Sequence, residues 1–461
     1  MTDRYRKVPS ARLSRLAALG QLAGGVAGGV LAEGARRLAR GERPHLSNLL
    51  LTPGNVMRVT DQLSRLRGAA MKLGQMISMD AGDVLPAELT QILSRLRDAA
   101  HFMPPAQLNR VLAEQWGADW RQRFARFDAT PIAAASIGQV HRAVLHDGRT
   151  LAIKVQYPGV AASIDADVDN VATLLRISGL LPAGLDVAPL LAEAKRQLAE
   201  ETDYLREAAQ MRHYATLLAD DPRFLAPSPV DDLTRARVLA MDFIPGRPID
   251  ELANVAQDRR DRVTGALLDL VLRELFVFGY MQTDPNFANY RWQPESDRLV
   301  LLDFGAARPV PAATQAAYRR LMAAGLAEDR MALRAALVEV GFVSPQQLQR
   351  HGPRFDAMID VLIGHLGRPG LFDFADRSFV ERIRSLATPV AEDRASWHLP
   401  PADTLFVQRK VSGTALLAIR MKTGLPLREM VAKAVGQNEL PESSSAVSCS
   451  PNAEIAVAAG D

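Results

Sequence analysis

The sequence predicts an α+β fold of two lobes, one small and sheet-bearing and one larger and mostly helical, behind an all-helical extension. Strand-like runs begin at Phe127 and cluster in the next hundred or so residues, whereas helical periodicity fills the stretches on either side. Four chemistry-bearing stretches also follow one another in a fixed order: a small-residue loop, a strand ending A-I-K, an Asp…Asn loop and D-F-G. At 461 residues, two lobes with accessory segments are the natural expectation.

The first segment, 1–45, is basic and Gly/Ala-rich. Residues 1–43 hold nine Lys/Arg against Asp3, Glu33 and Glu42, although the whole chain carries only +3. Such an end meets an anionic surface. The basic stretch has no interleaved aromatics, so nucleic acid is not expected as a partner. Between the charges lies "LAALGQLAGGVAGGVLA", Leu16–Ala32, with Gly20, Gly24 and Gly28 spaced by four. On a helix these form a smooth stripe suited to close helix pairing, and a homodimer would use it. The stretch is at the short edge of a membrane span, and contact with a membrane surface is expected of it.

Residues 46–126 read as the helical extension. "VMRVTDQLSRLRGAAMKLGQMISM" carries Leu63, Leu66, Ala70, Leu73 and Ile77 on one face, and "PPAQLNRVLAEQWGADW" is a further helix. Residues 127–247 are the small lobe: "GQVHRAVLHDGRTLAIKVQY" is a hairpin turning at Asp147-Gly148, a long helical stretch covers 185–218, and "RVLAMDFIPG" is a buried strand. Residues 248–440 form the larger lobe, and 441–461 is a tail too poor in aromatics to fold. The only cysteine is Cys449, which excludes disulfides and thiolate zinc sites, and the eight histidines have no metal-ligand spacing. "DADVDN" (Asp165–Asn170) imitates a calcium loop, but the sixth place is Asn170 and the twelfth is Arg176, so it reads as a solvated helix start.

The ordered stretches make chemical sense together. Lys154 ends an apolar strand, where a fixed cation can face phosphates, and Glu200, Glu201, Asp203 and Glu207 are the carboxylates on offer to it. Asp284 and Asn289 stand five apart in "QTDPNFANY", and Asp303 of "LLDFG" follows nineteen residues after Asp284. A nucleotide's phosphates and their metal ion need oxygen ligands and a cation converging from separate elements, and a protein-kinase-like fold supplies them in this order. Where a kinase loop reads G-x-G-x-x-G-x-V, this chain has Ala133, Ala135, Gly138 and Val140. No A-P-E follows Asp303, and Thr283 stands where H-R-D has Arg, so a docking platform for peptide substrates is not expected.

On "KLGQ" (Lys72–Gln75), "AAASIGQVH" (Ala133–His141), "AIKVQYPGV", "ETDYLREA" (Glu201–Ala208), "DPNFAN" and "LLDFGAAR", the chain resembles the UbiB/AarF family of atypical kinase-like proteins over roughly residues 10–430. The resemblance implies a kinase-like fold whose extension carries K-x-G-Q. It also implies a membrane-associated ATPase in ubiquinone or related isoprenoid-lipid biosynthesis, with ATP and Mg²⁺ as cofactors. Partners would be a membrane or isoprenoid-quinone precursor lipid and quinone-biosynthesis proteins. The location would be cytoplasmic, peripheral to the inner membrane of a bacterium.

Residue by residue, the resemblance makes Lys154 the phosphate-contacting lysine and Glu207 its partner. Lys72 and Gln75 would lie over the active site and block peptide entry, with Glu201 and Asp203 as partners of Lys72. Ala133, Ala134, Ala135, Ser136, Gly138 and Val140 would cradle the nucleotide, together with Met241 and Phe243 of the strand "RVLAMDFIPG". Asn289 and Asp303 would hold Mg²⁺, and Asp284 is the catalytic-loop aspartate. One departure is plain: the family's D-P-H-P-G-N is here Asp284-Pro285-Asn286-Phe287-Ala288-Asn289, which keeps the metal-site residues but loses His and Gly. This leaves a nucleotide-binding pseudokinase scaffold or lipid-extraction factor as the rival to an active ATPase.

Alanine in the loop adds a Cβ where glycine gives backbone freedom. Ala135→Gly is therefore expected to change the preference between ATP and ADP or to raise autophosphorylation, measured by nucleotide titration and phosphate incorporation. Unchanged affinities with no new phosphorylation would remove that role for the alanines.

Overall fold

In this computed structural model the described residues are 102–135, 137–177, 188–368, 370–393, 398 and 400–436. The basic segment 1–45, the K-x-G-Q stretch with Lys72 and Gln75, Ser136 and the tail from 441 lie outside them.

The chain enters through helix α1 (Pro105–Trp116), started by Pro at its first position and ended at Gly117, whose φ of 92° suits only glycine well. Strands β1 (Phe124–Phe127), β2 (Ala133–Ala134), β3 (Gly138–Leu145) and β4 (Thr150–Gln156) follow, then helices α2 (Val160–Ile177), α3 (Ala188–Glu201) and α4 (Tyr204–Leu217). After β5 (Phe224–Leu225), strand β6 (Val238–Asp242) completes an antiparallel sheet ordered β1-β3-β4-β6, with β2 hydrogen-bonded to β3. The strands start at Phe124 because its ring packs with Trp116 and Trp120.

The sheet has two unlike faces, because successive side chains on a strand point oppositely. Ala143 on β3, with Leu151, Ile153 and Val155 on β4, joins Val238 and Ala240 of β6 and Leu108, Val111, Leu112 and Trp116 of α1 in one apolar cluster. Helix α1, which we expected as part of the extension, thus covers the outer face of the sheet. Ala152, Leu239 and Met241 belong to the other cluster, shared with Tyr204, Ala208 and Met211 of α4 and with Phe304 and Leu417 further along the chain.

Two sequence expectations change here. The helical stretch 185–218 is broken at Thr202–Asp203, because the Asp203 carboxylate accepts from the Arg206 amide (2.9 Å) and caps a new helix, α4. Glu200 and Glu207, both offered by the sequence to Lys154, therefore stand on different helices. Asp165–Asn170 lies inside α2, not at a solvated start, and Asp167 is buried, accepting from Ser163 Oγ at 2.8 Å.

The larger lobe opens, after edge strand β7 (Arg247–Pro248), with helix α5 (Gln257–Arg273), which buries Val263, Leu267, Leu270 and Val271. A π-helical turn, Glu274–Phe278, prolongs it to Gly279 in the left-handed region (φ 59°). Then come β8 (Tyr280–Gln282), β9 (Tyr290–Gln293), β10 (Arg298–Leu301) and β11 (Ala307–Pro309), followed by α6 (Ala312–Leu326), α7 (Arg330–Val340) and α8 (Pro345–Leu366). Strand β12 (Phe372–Asp373), α9 (Ser378–Glu392), α10 (Ala402–Met421), β13 (Gly424–Leu425) and α11 (Leu427–Gly436) finish the described chain. The two-lobed α+β architecture is the one the sequence predicts. No helix among the described residues is long and apolar enough to cross a membrane.

His141 shows how the outer face is sealed. Its Nδ1 lies 2.9 Å from the Asp128 carbonyl, and its Nε2 lies 2.8 Å from Gln139 Nε2, whose Oε1 accepts from the Met103 amide at 2.8 Å. Those contacts fit a neutral ring donating from Nδ1. Burial, only partly offset by the Asp128 carbonyl and charge, pushes His141 from 6.5 down to about 4. The unfolded chain takes up this proton first. Stability is thus fully present above pH 6.5 and is lost as pH falls toward 4. Between pH 7 and pH 5 His141 is expected to account for about 2 kcal/mol of lost stability. Urea midpoints of wild type and His141→Leu at the two pH values check this, and parallel losses in both proteins would refute it.

Candidate active site

The site is assembled from six backbone elements: the β2–β3 hairpin, β4, β6, α4, the Asp…Asn loop and the D-F-G segment. The "AAASIGQV" stretch is a hairpin: Ala133 pairs with Val140 and Ala134 with Gln139, and the Ala135 amide donates to the Gly138 carbonyl at 2.9 Å. Its tip is tied down, since the Ile137 carbonyl accepts from the Tyr157 amide (2.9 Å) and the Ile137 side chain is buried. Gly138 is required by close approach, because a Cβ there would sit 2.4 Å from the Val155 carbonyl oxygen. Val140 pairs with Lys154, so the two residues share one face of the sheet. Met241 is buried on β6 opposite Ala152, and Phe243, packed partly against the same cluster, donates its amide to the Thr150 carbonyl at 3.0 Å.

Lys154 leaves β4 and meets α4. Its Nζ donates to Glu207 Oε1 and Oε2 at 2.9 and 3.0 Å and lies 3.5 Å from Asp303 Oδ2, above the Tyr204 ring. The lysine side chain is 10% exposed and that of Glu207 1%, so the pair is dry. Burial opposes the ammonium, but the Asp303 and Glu207 carboxylates outweigh it and hold Lys154 well above the usual lysine range. Burial pushes Glu207 up to about 7, against the pull of Lys154 and with the Asp303 charge adding to the rise. Lys154 is the firmly charged member of the pair.

Of the four carboxylates that the sequence offered to Lys154, the structure brings only Glu207 to it. Glu200 instead accepts from Arg308 and Arg196, both at 2.8 Å, Asp203 caps α4, and Glu201 is half-buried at the end of α3.

The Asp…Asn loop and D-F-G are set side by side by two short ladders. Tyr290 pairs with Leu301, and the Asn289 carbonyl accepts from the Leu302 amide (3.0 Å), which brings Asn289 beside the chain leading into Asp303. Gln282 pairs with Ala307, and the Thr283 hydroxyl donates to the Ala306 carbonyl at 2.8 Å, which brings Asp284 to the D-F-G side. Thr283, read from sequence as a missing arginine, is thus a direct tie between the two segments. Asp303 Oδ1 accepts from the Gly305 amide (3.0 Å), and Asp284 Oδ1 from the Asn286 amide (3.3 Å).

The departure from D-P-H-P-G-N is accommodated locally. Asn286 Oδ1 accepts from the Ala288 amide (3.1 Å), and Phe287 packs against the core. Sequence reasoning missed Arg206, which donates to the Gly305 and Ala307 carbonyls at 2.8 and 3.0 Å and pins the D-F-G segment to α4. Its place between Asp203 and Glu207 in "ETDYLREA" was the available signal.

The donor set suits a hard cation. Asn289 commits its Nδ2 to the Asp284 carbonyl (3.4 Å) and so presents oxygen, and Asp303 presents carboxylate. No group of three or more His, Cys, Asp or Glu suited to a metal exists among the described residues. Few protein oxygens, with phosphates and water to complete the shell, is the manner in which Mg²⁺ is held beside a nucleotide. Only seven residues separate Asp303 from Pro311, the N-cap of α6, and part of them is taken by β11.

This fold and site define a kinase-like scaffold with a short connection from Asp303 to the next helix. The family model of the ABC1 atypical kinase-like domain matches residues 95–337. The chain is 38% identical over 426 residues to atypical kinase COQ8, mitochondrial, of Saccharomyces cerevisiae, covering 91% of this chain and 84% of that one. It is 38% identical over 430 residues to atypical kinase COQ8B, mitochondrial, of Rattus norvegicus, covering 93% and 81%. A Mycobacterium tuberculosis protein solved in complex with erythromycin matches with a TM-score of 0.58 and 26% identity, over 81% of this chain and 93% of that one. The chain belongs to the ABC1 atypical kinase-like family, the UbiB/AarF group, and is an atypical kinase.

Breaking a buried pair by removing one partner strands the other charge. With Asp303 left at 3.5 Å from the ammonium, Glu207→Ala is expected to cost about 3 kcal/mol in urea unfolding. ATP affinity is expected to fall about tenfold as the lysine turns toward Asp303. Wild-type stability in that variant would contradict the assignment.

Proposed function

We propose that this chain is an Mg-ATP-dependent atypical kinase or ATPase acting at a membrane surface in ubiquinone or related isoprenoid-lipid biosynthesis. The observation that carries it is the convergence of Lys154, Asp303, Asn289 and Asp284 from separate elements, with only a short connection from Asp303 to the next helix. Lys154 would hold the phosphates, and the β2–β3 hairpin with Ala133, Ala134, Ala135, Ser136, Gly138 and Val140 would lie over them beside Met241 and Phe243. Asn289 and Asp303 would hold Mg²⁺, which when bound neutralises charge on the β- and γ-phosphates.

Asp284 would take the proton from an attacking hydroxyl or water. The new P–O bond forms at the γ-phosphorus as the bond to the β–γ bridging oxygen breaks, and ADP leaves. Lys72 and Gln75, with Glu201 and Asp203 toward Lys72, would close the cleft to peptides, which fits a small or lipid-borne acceptor. The basic charge of residues 1–43 supports a peripheral seat on the anionic inner membrane of a bacterium, where an isoprenoid-quinone precursor, quinone-biosynthesis proteins and a second copy paired through the Gly stripe would be met. The yeast and rat relatives are named atypical kinases COQ8 and COQ8B, which supports the kinase part of this reading.

The commitment of Asn286 to its own turn, where the family has His, favours a second reading: a nucleotide-binding scaffold or lipid-extraction factor with negligible turnover. Phosphate release by purified protein, with and without anionic liposomes carrying a phenolic quinone precursor, separates the two readings. We expect liposomes to raise the wild-type rate and Asp303→Asn to lower it by about 100-fold or more. Equal phosphate release by both proteins in every condition would sink the ATPase reading.

A further inference from the structure

We propose that Lys410, paired with Glu274, is a positioning device that clamps from beneath both ends of the loop bearing Asp284 and Asn289. The inference rests on the reading of that loop as the metal- and phosphate-handling segment. Lys410 projects from α10 and is 1% exposed, far from the sequence motifs. Its Nζ donates to Gln282 Oε1 at 3.2 Å and lies 2.9 Å from the Tyr290 hydroxyl, and Glu274 Oε2 is 3.5 Å away. Gln282 stands two residues before Asp284, and Tyr290 directly follows Asn289. One buried cation thus holds the side chains at either end of the loop.

The counter-charge is fixed just as firmly. Glu274 Oε1 accepts from the Tyr214 hydroxyl at 2.9 Å and from the Gln282 amide at 3.3 Å. Tyr214 lies on α4, the helix that also carries Glu207, so the clamp and the phosphate-facing lysine share one support.

Packing alone gives no reason for an ammonium here. A well-packed apolar side chain in place of a buried ion pair is commonly as stable or more so. What an ammonium adds is direction: three donors, aimed at Gln282, Tyr290 and Glu274. Burial opposes its charge, and the Glu274 carboxylate and the Tyr290 hydroxyl more than restore it.

The test uses the full chain with three variants: Glu274→Gln/Lys410→Met, which removes both charges together, Lys410→Met alone, and Tyr290→Phe, which keeps the ring and the ion pair. Thermal melting, ATP affinity with Mg²⁺ and with EDTA, and amide exchange of residues 283–289 are read for each. The double variant is expected to melt close to wild type, whereas Lys410→Met alone melts lower because Glu274 is stranded. In the double variant, ATP affinity in EDTA stays at the wild-type value, while the gain on adding Mg²⁺ falls about tenfold, as outer-shell changes at metal sites do. Exchange in 283–289 rises about tenfold, and Tyr290→Phe moves both readouts the same way by about threefold.

A double variant with the wild-type Mg²⁺ gain and wild-type exchange would overturn the clamp and leave Lys410 a structural residue. Should wild type show neither an Mg²⁺ gain nor turnover, the proposed function fails, and exchange in 283–289 still decides the clamp by itself.

Discussion

A nearly dry ion pair governs this structure. Once Lys154 and Glu207 are taken out of water, neither can be left alone without a penalty of several kcal/mol, so β4 and α4 must stay docked. That constraint reaches well beyond the pair. Helix α4 also carries Arg206, whose guanidinium holds the Gly305 and Ala307 carbonyls, and Tyr214, whose hydroxyl donates to Glu274 in the other lobe. One helix thereby sets Lys154, the D-F-G segment and the floor of the Asp284 loop relative to one another. Asp303, 3.5 Å from the lysine, completes the connection.

The alternation of a β-strand divides the stretch "GQVH" between two tasks. Gly138 and Val140 belong to the face shared with Lys154, Gly138 because no side chain fits against the Val155 carbonyl. Gln139 and His141 point the other way and link the strand to the Met103 amide and the Asp128 carbonyl, under the cover of α1. Four consecutive residues therefore serve both the face that bears Lys154 and the seal of the sheet's outer face. The alanines take part in a strand ladder closed by a tight turn, which explains why this hairpin needs less glycine than a mobile flap.

The segment after D-F-G is economical in the same way. Where a protein kinase spends a long activation segment, this chain returns at once through β11 to pair with β8 and enters α6. The Thr283 hydroxyl takes over a tie that a charged side chain and a phosphorylated loop would otherwise provide. Such a site is set by backbone ladders and buried side chains and does not depend on a loop that must be ordered first.

Much of this was legible in the sequence because it depends on local order. The run A-I-K, the Asp-to-Asn spacing, D-F-G and the Asp147-Gly148 turn are short patterns with one structural meaning each, and they announce the two lobes and the elements of the site. Which carboxylate meets Lys154 was not legible from spacing, which offered four, and only the family resemblance named Glu207. The choice hangs on Asp203 capping a new helix and swinging Glu207 inward, while Glu200 goes to Arg308. Nor were Lys410, Glu274 and Tyr290, which lie more than a hundred residues apart at the extremes and share no motif. Periodicity and spacing fix what a residue's neighbours along the chain compel. Pairing across the core is decided only when burial strips away water and each charge must find the one partner within reach.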